Sequence, residues 1–288
     1  LYLKFFLSSF EELAVALMQS EAIENTPFPF DIGKASPKKL RNIFRTGSYQ
    51  GTTAGMSDGY TQGNLAIIPE RFALDFSRFC QRNPKSCPIV GVSDTGNPSM
   101  FTLGEEIDIR SDIPSYNVYR EGELETTQPS VEDLWGDDSV AFVIGCSFSF
   151  EEALTQAGVP LRHQELGRTC PMYRTNIENI KSGPFGGTMV VSMRPMSAAD
   201  SIRASAITAR FPHTHGMPVH IGSPEEIGIR NIEKPDWGDP TEFKNNEVPV
   251  FWACGVTPQN AIQEAGIPLV ITHTPGSMLI TDCRSTEN

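Results

Sequence analysis

One phrase occurs twice in this 288-residue chain, and it constrains the fold more than any other feature. Residues 142–161 read Phe-Val-Ile-Gly-Cys146-Ser-Phe-Ser149-Phe-Glu-Glu152-Ala-Leu-Thr-Gln-Ala-Gly158-Val-Pro160-Leu. Residues 250–269 read Val-Phe-Trp-Ala-Cys254-Gly-Val-Thr257-Pro258-Gln-Asn-Ala-Ile-Gln-Glu-Ala-Gly266-Ile-Pro268-Leu. A single offset of 108 residues (254 − 146) aligns the cysteines, the alanine pairs and the closing Gly-x-Pro-Leu. Each copy opens as an apolar strand and continues as a helix. Ser149 with Glu152 is spaced as a capping box, and Thr257 before Pro258 as a cap with proline at the next position. Gly158 and Gly266 are helix stops, and Pro160 and Pro268 prevent continuation. The two thiols therefore sit at strand exits just ahead of helix N-termini, where unpaired N–H groups and the helix dipole favour anions. Two such places in one chain predict a small ligand with carboxylates.

The rest of the chain reads as alternating strands and helices, an α/β pattern. Residues 9–24 form an amphipathic helix in this reading, and Pro69–Cys80 another, with Phe72, Phe76 and Phe79 on one face. Pro88–Val92, Tyr116–Tyr119 and Met278–Asp282 are expected strands. Leu161–Glu165, Cys170–Thr175 and Thr188–Met193 are expected extended pieces, and Ala198–Arg210 a helix. The fold class expected is a layered α/β core with a smaller inserted α+β subdomain and the duplicated strand–turn–helix unit. Residues 1–130 with 201–288 would make the main domain and 131–200 the subdomain, a size that suits two packed units.

A formal charge of −12 excludes a basic surface that could bind nucleic acid. An anionic ligand would thus need arginine and helix N-termini placed locally. No apolar run reaches the length of a membrane span, so no membrane association is expected. The six cysteines show no CxxC, which fits reduced thiols. Cys80 and Cys87 are the one pair spaced for a metal or a disulfide, and the polar turn between them argues against both. The start of the chain has neither a signal-peptide nor an Arg-rich transit pattern. The expected compartment is the cytoplasm, or the mitochondrial matrix if a transit peptide has been removed.

Cys146 and Cys254 qualify as nucleophiles or acid–base thiols with pKa lowered by the helix ends. The bland alternative is a small apolar residue in a tight turn. Arg174, Thr175 and Asn176 follow one another on an extended segment, a guanidinium fork with hydrogen-bonding neighbours that suits a carboxylate. Arg194, before Pro195, is a candidate of the same kind. The repeat loops add Ser147, Ser149, Thr257 and Gln259, and the Gly/Thr-rich stretch after Arg45 adds Thr53 and Asn64. His215, His220 and His273 are candidates for a general base, since imidazole titrates near neutrality. HExxH is absent and no third ligand falls at recognisable spacing, so no metal is expected. The paired acids Glu151 and Glu152 read as helix-terminus charges. No GxGxxG or GxxxxGK occurs, and no cofactor is expected.

Several strings together resemble the D-glutamate cyclase family: Thr53-Ala-Gly55, Phe79-Cys-Gln-Arg-Asn-Pro-Lys-Ser-Cys-Pro88, Gly145-Cys-Ser-Phe-Ser-Phe-Glu151, Pro171-Met-Tyr-Arg-Thr-Asn176, His215-Gly-x-Pro-Val-His-Ile-Gly222 and Pro249-Val-Phe-Trp-Ala-Cys-Gly-Val-Thr-Pro-Gln259. The resemblance spans roughly residues 41 to 282. It implies a hydro-lyase that closes D-glutamate to 5-oxo-D-proline, a small dicarboxylate amino acid as substrate, and is compatible with a homodimer. The chain departs from the family pattern at Gly63, where alanine is usual, and at Ser277, where histidine is usual; the proton-transfer role would then fall to His273 or His215. On the residues alone, a hydratase or cysteine-type racemase for another small acid, or a non-catalytic carboxylate-binding protein, stays open.

Overall fold

A computed structural model describes residues 28–285; the helix expected at residues 9–24 lies outside them. The strands are β1 (Tyr60–Pro69), β2 (Ile89–Val92), β3 (Tyr116–Arg120), β4 (Glu123–Gln128), β5 (Ser139–Gly145), β6 (Met172–Glu178), β7 (Thr188–Ser197), β8 (His220–Ile221), β9 (Glu247–Ala253), β10 (Val270–His273) and β11 (Leu279–Arg284). The helices are α1 (Pro37–Arg45), α2 (Glu70–Arg82), α3 (Glu151–Gln156), α4 (Arg162–Glu165), α5 (Ala198–Thr208) and α6 (Val256–Glu264). They form a mixed fold of helices on two antiparallel sheets. One sheet runs β2-β5-β1-β10-β3-β4, with β11 also paired to β1, and the other runs β6-β7-β9-β8.

Both sheets are assembled alike. A ten-residue strand (β1 or β7) leads directly into a helix (α2 or α5), and its next neighbour is the strand of the repeated phrase (β5 or β9). The helix after β5 does not return to its own sheet. Phe150 and Leu154 pack with Met196, Val250 and Trp252 of the second sheet. The helix after β9 goes the other way, and Ala261 and Ile262 pack with Ala66, Ile68 and Phe142 of the first. Each sheet therefore holds the other's crossover helix, and the two strand-exit loops are drawn to the seam between the sheets.

Local sequence explains most of these elements. In α2, Phe76 and Phe79 are fully buried and meet Phe142 and Phe185 edge-on or tilted. Pro69 ends β1 with an extended ψ of 141° and caps α2 rather than occupying its first turn. Ser197 caps α5 by accepting a hydrogen bond from the Asp200 amide at 3.1 Å. Gly158 and Gly266 follow α3 and α6 at φ of 72° and 59°, conformations that favour glycine.

Three expectations are corrected. Ser149 does not cap a helix: residues Ser147–Phe150 form a 3-10 turn, and α3 starts at Glu151. Its hydroxyl instead accepts from the Gln62 amide at 2.9 Å and donates to the Gln62 carbonyl, tying the turn to β1. Thr257 lies inside α6, and its hydroxyl accepts from the Val190 amide at 3.0 Å and donates to the Val190 carbonyl. In both copies a bond to a neighbouring strand displaces the local cap. Leu161–Glu165, expected extended, is one helical turn held by the burial of Arg162 and His163.

Because Thr257 pairs with both backbone groups of Val190 in the interior, replacing its hydroxyl with a methyl leaves a buried amide unpaired. Thr257→Val is expected to lower unfolding free energy by about 1–3 kcal/mol in urea titration; a change within about 0.5 kcal/mol would show that the contact is dispensable.

Candidate functional site

The seam between the sheets encloses a cavity. Cys146, Ser147 and Phe148 line it from the first repeat loop, and Cys254, Gly255 and Val256 from the second. Asn64 on β1, Ser192 on β7, Cys170 and Met278 also line it, with Thr169, Met172 and Gly276. It leaves about 20 Å³ for the centre of a water molecule, room for one or two waters. Asn64 stands between the loops and donates to the carbonyls of Ile144 and Gly145 at 3.2 and 3.0 Å. On the other side its amide touches Gly255, where a Cβ would lie 1.9 Å from Asn64 Nδ2. Glycine at 255 is thus required by close approach.

Burial controls the thiols. It pushes Cys146 well above the ordinary thiol value, against the pull of the Phe148 amide. It raises Cys254 to about 12, although the Val256 and Gly255 amides oppose it. Cys170 is raised for the same reason. The expected lowering by helix ends is therefore reversed, and the thiols are protonated at neutral pH. The first helix has only six residues, so its dipole contributes little.

Arg194 stands immediately behind this wall. It is 1% exposed, stacked over Phe150 and Trp252 at 5.5 and 5.3 Å. Its Nε donates to Glu151 Oε1 at 3.1 Å, and Nη2 also reaches Glu151. Nη2 donates to Ser147 Oγ at 3.1 Å and Nη1 to Ser192 Oγ at 3.2 Å. Glu151 is completed by His163 at 3.0 Å and Gln164 Nε2 at 2.6 Å. Burial alone would raise the Glu151 carboxyl; His163 and Arg194 outweigh it and hold the group at about 2.

The other candidates lie elsewhere. Arg174 and Asn176 are exposed, with the Arg174 guanidinium over Trp237, while Thr175 donates to the Met189 carbonyl at 2.6 Å. Thr53 bonds Gln62 and the Met278 amide. Gln259 donates to His273 Nδ1 at 2.9 Å. His220 bonds the Ser223 carbonyl at 2.8 Å on the edge of the second sheet. His215 contacts the Lys85 carbonyl at 2.9 Å through Nδ1. Ser277, at the position where histidine is usual, donates to the Gly51 carbonyl at 2.9 Å. Of the three histidine candidates, none lines the cavity. Among the described residues no group of three or more His, Cys, Asp or Glu is placed to hold a metal ion, and no helix is long and apolar enough to cross a membrane.

Glu151, His163, Cys170 and Ser192 were not among the candidates. Ser192 had a signal: two residues before Arg194 on one strand, it shares that residue's face. His163 and Cys170 had none, since their places are fixed by the crossover.

With this geometry in view, the comparisons are specific. The sequence pattern of the D-glutamate cyclase family matches residues 140–282, from β5 to β11. A protein of Burkholderia multivorans named "Putative hydro-lyase" is 55% identical over 247 residues, covering 86% of this chain and 95% of its own. A "Putative hydro-lyase" of Bradyrhizobium diazoefficiens is 52% identical over 271 residues, covering 94% of this chain and 96% of its own. The chain belongs to the D-glutamate cyclase family. That membership and the relatives' names support a hydro-lyase.

Burial lowers both His215 and His273 to about 4. A depressed imidazole contributes stability that is complete above the unfolded value near 6.5 and is lost as pH falls to about 4, worth about 3 kcal/mol per residue. His273→Asn keeps an acceptor for the Leu65 amide, which now lies 3.1 Å from Nδ1. It is expected to remove about half of the two histidines' share of that loss, measured by urea unfolding at pH 6.5 and 4. Equal losses in wild type and variant would contradict the assignment.

Proposed function

We propose that this chain is a hydro-lyase that closes D-glutamate to 5-oxo-D-proline and releases water. The observation that carries the chemistry is the cavity between the two repeat loops, a largely apolar space into which Asn64, two serines and three protonated thiols are set. Family membership supplies the identity of the substrate. In the reaction the α-amine attacks the γ-carboxyl carbon; the nitrogen gives up two protons, and one γ-oxygen leaves with both as water. Transfer of the substrate ammonium into an uncharged cavity favours its neutral, nucleophilic form. Loop amides and hydroxyls serve the carboxylates and the tetrahedral oxyanion. A thiol held at about 12, as at Cys254, is still far more acidic than water and protonates the departing oxygen. The thiolate then takes up one of the two protons that the nitrogen gives up, which restores the thiol. A five-carbon substrate exceeds the space present, so the loops must part to admit it.

A second reading has one supporting observation. Cys146 and Cys254 line the same cavity, and Cys254 is close enough to help raise Cys146, an arrangement a two-thiol racemase would use. Incubation with each glutamate enantiomer, following loss of primary amine and deuterium entry at the α-carbon, separates the two. Cyclase activity gives amine loss with D-glutamate, reduced about a hundredfold or more in Cys254→Ser. Loss of amine from neither enantiomer would sink the cyclase reading, and α-exchange without ring closure would favour the racemase.

A further inference from the structure

Arginine donates hydrogen bonds and accepts none, which fixes the polarity of everything it touches. Its bonds to Ser147 Oγ at 3.1 Å and Ser192 Oγ at 3.2 Å occupy a lone pair on each oxygen. Each hydroxyl proton must therefore point away from Arg194. Ser147 makes no other side-chain hydrogen bond among the described residues. The Ser192 hydroxyl also hydrogen-bonds Cys170 Sγ, a weak partner that a ligand oxygen would displace. Both serines are at least nine-tenths buried, and both face the cavity.

Arg194 cannot itself reach a ligand. Glu151 holds its Nε and Nη2, His163 and Gln164 hold Glu151, and Phe150 and Trp252 flank the guanidinium. Glu151 offsets its charge, which still pulls the cavity thiols down against burial; its hydrogen bonds toward the cavity go to the two hydroxyls.

We infer that Ser147 and Ser192 form a pair of hydroxyl donors for an oxygen anion of the ligand, and that Arg194 is the positioning residue that turns their protons into the cavity. The anion is a carboxylate of the bound acid or the oxyanion formed from it. The pair joins one residue from the first repeat loop to one from the second sheet, so it exists only when the seam is assembled. The inference draws on the proposed cyclase reading only for the identity of the acid.

The test separates the two. Glutarate, a dicarboxylate with no amine to close a ring, is titrated calorimetrically into wild type, Ser147→Ala, Ser192→Ala, the double variant and Arg194→Lys, with near-ultraviolet circular dichroism as a check on folding. D-glutamate turnover is measured on the same proteins. Each single alanine variant is expected to weaken glutarate about tenfold to a hundredfold, and the double variant further. Arg194→Lys, if folded, is expected to resemble the double variant although both serines remain. If it fails to fold, the serine variants decide. Carboxylate binding by the pair raises KM for D-glutamate; oxyanion binding lowers kcat with KM nearly constant. Glutarate affinity within twofold of wild type in both alanine variants, with D-glutamate kinetics equally unchanged, would overturn the inference and leave cyclase activity standing. So would a wild-type protein that binds no glutarate at millimolar concentration and whose D-glutamate kinetics ignore both serines. Serine-dependent glutarate binding without turnover of D-glutamate would overturn the cyclase reading alone.

Discussion

The buried pair of Arg194 and Glu151 is the contact on which the rest of the seam depends. Arg194 belongs to β7 of the second sheet, and Glu151 opens the helix that follows β5 of the first. Both are at most 2% exposed. Two charges this deep lose much hydration, so their attraction alone is poor evidence of net stabilisation. Their value is geometric. With His163, Gln164, Ser147 and Ser192 filling the remaining sites, every partner has one arrangement, and breaking it would strand a charge at a cost of about 3–5 kcal/mol.

That arrangement follows from the crossed connections. Since the helix after each repeated strand packs on the opposite sheet, both strand-exit loops must pass through the seam. There Asn64 fills the gap between Gly145 and Gly255, and a side chain at 255 would collide with it. The cavity is what remains between two loops that are each tied to a neighbouring long strand, by Ser149 to Gln62 and by Thr257 to Val190. The same hydroxyls that the sequence presents as helix caps thus spend their bonds on holding the loops to the sheets.

The repeated phrase, the α2 face of Phe76 and Phe79, the long strands and the glycine stops were legible because they are periodic or local. The partners of those pieces were not. Strand alternation suggested an α/β layering, but pairing direction depends on where crossovers lead, and both sheets are antiparallel throughout. Among site residues, Cys146, Ser147, Cys254 and Asn64 line the cavity, and all four sit in or beside the motifs that drew attention to them. Arg174 and Asn176 had apt chemistry on a strand whose outward face carries them to solvent. Glu151 looked like a helix-terminus charge because nothing local shows that a buried arginine 43 residues later will meet it.

The cavity is lined by apolar side chains, hydroxyls, an amide and thiols but no charged side chain, and Arg194 behind it is paired with Glu151. A cation already paired with the carboxylate of the bound substrate gives binding common to substrate and transition state, and binding of that kind lowers KM without speeding the chemical step. Dipoles fixed by packing act differently. They cost little reorganisation as charge moves from a carboxylate to a tetrahedral oxyanion, and their effect grows where water is excluded. On the proposed reading, the Arg194–Glu151 pair is therefore placed where it best serves ring closure: one layer back, converting buried charge into two oriented hydroxyls rather than meeting the substrate itself.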